Sequence, residues 1–167
     1  MQYKASLDKS AKIITIFILA LFIFISYTSI KSIFFHSNTK NLVVHILVLI
    51  LLTSVFIGSW ILAPKEYTIT KSYFIIRKNI GNIRIKRSNI IDVRVLTPNE
   101  ISGTLRTFGV GGIFGYFGKF YIPDIGSVTF YATKQKNLIL ITTKDDKMMV
   151  ISPNDIELLT QLTQFTN

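Results

Sequence analysis

At 167 residues, the chain combines 49% hydrophobic and only 17% charged residues with a mean hydropathy of +0.44 and, from 19 Lys and Arg against 9 Asp and Glu, a net charge of +10. This balance excludes an ordinary single soluble domain and, at this length, a large transporter; it requires a membrane explanation, and the positive charge suits work against an anionic surface. With no cysteine, disulfide frameworks, thiolate metal sites and cysteine nucleophiles are removed together.

In chain order, the first predicted element is the stretch from Ile13 to Ile30, which holds no charge and no proline. At about 1.5 Å per residue it reaches roughly 27 Å, the hydrocarbon thickness of a bilayer. A cleaved signal peptide is the rival reading, because Lys4, Lys9 and Lys12 resemble a positive leader. The apolar run is longer than the usual 7–15 or so residues of a signal core, and no small-residue cleavage site follows. A second run, Leu42 to Ala63, is also long enough to span and ends in Trp60, an interfacial anchor, and Pro64. The short polar stretch from Lys31 to Asn41 joins the two as an antiparallel hairpin, giving a transmembrane unit over residues 1–64 with spans near 13–30 and 42–63. Lys4, Lys9, Lys12, Lys65 and Lys71 outnumber Lys31 and Lys40, so the positive-inside rule places both termini in the cytoplasm, in a multi-pass protein of the inner (cytoplasmic) membrane. Neither span carries Asp, Glu, Lys or Arg, the default sign of an ion path. His36 and His45 have no nearby carboxylate and read as interfacial polar residues, so no metal site is expected.

From Lys65 onward, β-branched and aromatic residues alternate with polar ones between turn residues. The pattern predicts strands at Tyr67 to Thr70, Tyr73 to Lys78, Ile83 to Arg87 and Ile90 to Leu96, then at Val128 to Thr133, Leu138 to Thr143 and Met148 to Ile151. Ser152, Pro153 and Asp155 supply an N-cap, a proline at the first helical position and an acidic third position, predicting a helix start. Ile156, Leu159, Leu162 and Phe165 would form its apolar face. The fold class is therefore α+β: a two-helix transmembrane hairpin, then a seven-stranded antiparallel partial barrel over residues 65–167, closed by a C-terminal capping helix.

This arrangement resembles the pleckstrin-homology-like (PH-like) domains of bacterial membrane proteins. The resemblance covers Lys65 to about Phe165 and is most specific at Tyr67 to Thr70, Ile83 to Val95, the glycine run Arg106 to Phe120, and Val150 to Asp155. It implies a membrane-tethered binding or assembly module. Eukaryotic members of the fold often hold phosphoinositides in a basic loop between the first strands; here Lys71 and Ser72 make too short a loop for that pocket.

Six of the nine glycines, Gly103, Gly109, Gly111, Gly112, Gly115 and Gly118, interleave with Phe108, Phe114, Tyr116 and Phe117. The spacing fails both the dinucleotide fingerprint, which would need glycine where Phe114 stands, and the P-loop. A compact loop is expected instead, its aromatics folded inward or touching the bilayer or a partner. Arg77, Lys78, Arg84, Lys86, Arg87 and Arg94 form a basic cluster on neighbouring predicted strands. It is either a solvated face or a contact surface for an acidic protein partner, a second copy of the chain, or anionic lipid headgroups. Nucleic acid is not expected, because the aromatics do not interleave with the basic strands. Catalysis is not expected either: Asp92, Glu100, Asp124, Asp145 and Asp146 have no paired acid/base spacing, and no serine lies in a nucleophile elbow. No cofactor is implied.

Overall fold

The computed structural model describes residues 1–35 and 39–164; His36 and Phe165, both singled out above, lie outside them. Two long helices, α1 (Lys9–Phe35) and α2 (Thr39–Leu62), run side by side and stack Phe22 on Phe56 with ring centroids 5.8 Å apart. Both are long and apolar enough to cross a membrane, and only 6% of each apolar window is buried inside the chain. Surface of that kind needs lipid or another nonaqueous solvent. Asp8 opens α1 by accepting the Ala11 N–H at 2.7 Å.

The described residues form ten strands: β1 (Gln2–Lys4), β2 (Pro64–Ile69), β3 (Tyr73–Lys78), β4 (Asn82–Lys86), β5 (Ile90–Val95), β6 (Leu105–Gly112), β7 (Gly115–Ile122), β8 (Gly126–Ala132), β9 (Ile139–Thr143) and β10 (Met148–Ile151). They form one sheet in the order β1-β2-β3-β4 and a second in the order β5-β9-β10-β8-β7-β6. The short helix α3 (Pro98–Ile101) follows β5, and α4 (Glu157–Thr163) ends the domain.

Tyr67, Phe74, Ile76, Ile141, Ile151, Leu158 and Leu162 fill the core that α4 closes. On the other face of the second sheet, Phe120, Ile122, Val128, Phe130, Leu138 and Val150 pack with Ala11 of α1. The second sheet is thus covered on both sides. That is why the stretch from Leu138 to Ile141 is continuously apolar rather than alternating.

The structure corrects the sequence expectation at four points. There are ten strands among the described residues, not seven, and β10 pairs with β8 in parallel, so the second sheet is mixed rather than wholly antiparallel. The glycine run is the β6–β7 hairpin, not a loop. At its crossing, a Cβ on Gly109 would lie 2.4 Å from the Phe117 carbonyl oxygen and one on Gly118 2.3 Å from that of Phe108, so glycine is what lets these strands approach. Ser152 does not cap the last helix. Its buried hydroxyl accepts the backbone N–H groups of Thr133 at 2.7 Å and Lys134 at 3.1 Å, and the helix begins at Glu157, whose N–H bonds Asp155. The helix consequently turns Leu158 and Leu162 inward, with Leu159 half-buried and Ile156 exposed.

The N-terminal segment belongs to the first sheet. Tyr3 pairs with Tyr67 in register and is buried, the Ala5 N–H reaches the Lys65 carbonyl at 3.0 Å, and the Asn154 side chain accepts from the backbone and hydroxyl of Ser6.

Candidate functional site

The turn between β3 and β4 rests on the end of α2. The Asn79 N–H bonds the Ala63 carbonyl at 3.1 Å, its side-chain amide the Trp60 carbonyl at 2.9 Å, and the Ile80 N–H the Ile61 carbonyl at 3.2 Å. Distance from the helix end along β3 and β4 therefore sorts the basic residues that the sequence groups together. Lys78 pairs opposite Pro64, beside α2, whereas Lys86 pairs opposite Tyr73 at the other end of the strands. Asn82 and Lys86 stand four residues apart, about 13 Å of strand. That exceeds a Debye length of about 8 Å, so one flat leaflet does not address the whole row equally.

Three members of the row are already partnered. Arg77 forms a 3.1 Å ion pair with Glu66, its cross-strand neighbour, and bonds the Thr68 hydroxyl at the same distance. Arg94 lies in the second sheet and bonds Glu100. Glu100 also closes a capping box with Thr97, and the Thr97 N–H, the Arg94 guanidinium and the Thr97 hydroxyl together lower its carboxyl to about 2. Arg87 donates to the Lys71 carbonyl at 3.0 Å.

Arg84 and Lys86 are exposed and face a cleft. β4 is the outer strand of its sheet, and the gap between it and the second sheet is a cleft of about 590 Å³. Arg84 and Lys86 line one wall; Lys119 of β7 and Thr129 of β8 line the other; Asp145, Asp146 and Lys147 of the β9–β10 turn close an end. Asp145 is held by the Asn89 side-chain amide at 3.1 Å. Sequence reading missed Lys119 and Lys147. Lys119 was legible in principle, since it falls between buried Phe117 and Phe120 on a strand, but the surrounding glycines concealed that strand.

A second cleft, of about 550 Å³, lies where α1 leaves the domain and is lined by Lys9, Ser10, Lys12, Lys134 and Lys136. Burial lowers the Lys134 ammonium, with Asp8 acting in the opposite direction. None of these lysines belongs to the row singled out from the sequence.

The glycine-run aromatics separate. Tyr116 and Phe117 are buried, Phe108 is 77% exposed, and half-buried Phe114 packs edge-on against Phe56 of α2 at 5.2 Å. Among the described residues, no group of three or more His, Asp or Glu side chains is placed to hold a metal ion.

A family model described as a bacterial PH domain matches residues 65–165. No curated protein and no solved structure matches the chain.

Proposed function

From the premise that this chain belongs to the bacterial PH domain family, with two helices fit to anchor it in a membrane, we propose that it is a noncatalytic assembly module at the cytoplasmic membrane surface. Its ligand is an acidic, extended segment of a protein partner, seated in the cleft between β4 and the second sheet. The observation that carries this reading is the cleft itself. Arg84, Lys86, Lys119 and Lys147 supply four cations against Asp145 and Asp146, alongside a strand with a free edge. An extended peptide can add its backbone to such an edge while its carboxylates meet the cations.

The pairing of β1 with β2 needs residues 2–4 and 64–69 on one side of the bilayer, which supports the N-terminal segment and the sheet domain sharing a side. Lys9, Lys12, Lys65 and Lys78 sit close to the helix ends on that side.

The test uses the full chain in nanodiscs and a short Glu-rich peptide. Amide resonances of Arg84, Lys86 and Lys119 shift on titration, and the shifts vanish at high salt and in the Arg84→Glu, Lys86→Glu double variant. Shifts confined to other surfaces, or none, contradict the assignment.

The lysine cleft beside α1 favours a second reading, an anionic lipid headgroup bound at the membrane surface. Each lysine near an anionic leaflet contributes about 1 kcal/mol. Replacing Lys9, Lys12, Lys134 and Lys136 with Gln then abolishes enrichment of anionic over zwitterionic lipid around the purified chain, while leaving the peptide titration unchanged.

A further inference from the structure

The tip of the β6–β7 hairpin is tied to the two long helices inside their apolar segments. Ile113 and Phe114 form the turn between the paired Gly112 and Gly115. The Phe114 N–H donates to the Thr15 hydroxyl at 3.0 Å; that hydroxyl donates to the Ala11 carbonyl at 2.7 Å and lies 3.3 Å from the Gly112 carbonyl. Thr15 stands two residues inside the uncharged run that starts at Ile13, about 3 Å along the helix, and Phe56 stands six residues before Leu62, about 9 Å from the end of α2. A Cβ on Gly112 would lie 2.8 Å from the Ile14 side chain, so the strand runs directly against α1. Phe114 holds a positive φ of 56°, an uncommon conformation for a bulky residue, and its ring joins the stack of Phe56 and Phe22.

We propose that this tip is a third membrane-embedded element, a wedge beside α1 and α2 whose Ile113 and Phe114 contact lipid acyl chains. Nonhelical backbone survives at that depth only where its polar groups are satisfied by protein. The Gly112–Gly115 pairing and the Thr15 hydroxyl meet that condition for Gly112, Gly115 and the Phe114 N–H, and Thr15 is the polar residue within Ile13–Phe17. The wedge fixes the domain's tilt, because β7 carries the tip at one end and Lys119 of the cleft further along.

The chain has no native cysteine and one tryptophan, so two clean probes test the wedge in the full-length protein in vesicles. A nitroxide on Ile113→Cys collides more with oxygen than with a water-soluble nickel chelate, whereas one on Lys144→Cys, in the exposed β9–β10 turn, shows the reverse. In the Trp60→Phe, Phe114→Trp variant, the new indole loses emission to lipids brominated in their acyl chains and not to aqueous iodide. An aqueous signature from either probe overturns the proposal.

Discussion

The Tyr67 hydroxyl accepts the Ser152 N–H at 3.1 Å and donates to the Tyr131 carbonyl at 2.6 Å. One side chain from the first sheet thereby bonds backbone groups of Tyr131 in β8 and of Ser152 just after β10, in the core that α4 covers. Burial pushes the phenol up to about 12, against the lowering effect of the Ser152 N–H.

Replacing Tyr67 with Phe leaves both partners without their bond. Chemical unfolding of the domain in the full chain then shows a loss of about 1–3 kcal/mol. The pH dependence has a definite sign. The folded phenol titrates above its unfolded value of about 10, so the stability it contributes is intact below that value and falls as pH rises towards about 12. The Phe variant lacks that alkaline segment.

Glu100 gives the opposite sign. Its carboxyl is lowered to about 2, so its contribution is present above the unfolded carboxylate range of about 4.3 and is lost as pH falls from there through about 2. Glu100→Gln flattens the acid limb of a stability–pH profile across that window. Arg94→Gln, which removes one of the three groups holding the carboxylate, shifts the limb upward in pH.

Leu158→Ala and Leu162→Ala, at fully buried positions, each destabilise the domain by about 2–5 kcal/mol in a denaturant titration. Ile156→Ala, at a position 49% exposed, stays within about 0.5 kcal/mol of the parent. A large loss at Ile156 with little at Leu158 would return the helix to the face expected from sequence.

These substitutions also show what the sequence made legible. The two helices were readable because no charge interrupts either apolar run, and the strands from Tyr73 to Val95 because alternation survives where one sheet face is exposed. The helix face was misread in its first turn, where Leu158 rather than Ile156 faces inward, because Ser152, a residue of N-cap type, was taken up by the N–H groups of Thr133 and Lys134, a demand created only when β8 and β10 meet. Gly109 and Gly118 count against a strand in any local reading; what makes them strand residues is each other's backbone. β1 has three residues, too few for a period, and Tyr3 is its one buried side chain. Alternation placed Arg84 and Lys86 on one face, but it could not show that Arg77 meets Glu66 across the ladder or that Lys119 stands across the cleft.

On the proposed reading, partnering within the chain sets apart the cations expected to meet the acidic peptide from those already engaged. Arg77→Gln breaks a surface ion pair, costs no more than about 1 kcal/mol in stability and leaves affinity for the Glu-rich peptide unchanged. Arg84→Gln and Lys86→Gln, at exposed cleft positions, weaken that affinity and flatten its dependence on salt. Isothermal titration of each variant in nanodiscs distinguishes the two outcomes.

The most direct test of the cleft as a docking site for an acidic partner is a photo-crosslinking residue at Thr129, on the cleft wall facing Arg84 and Lys86, in the full chain in its native membrane. The account predicts an adduct whose sequenced peptide is rich in Asp and Glu and which disappears when Arg84→Glu and Lys86→Glu are introduced together. A lipid adduct, or a peptide adduct that persists undiminished after both charge reversals, would contradict it.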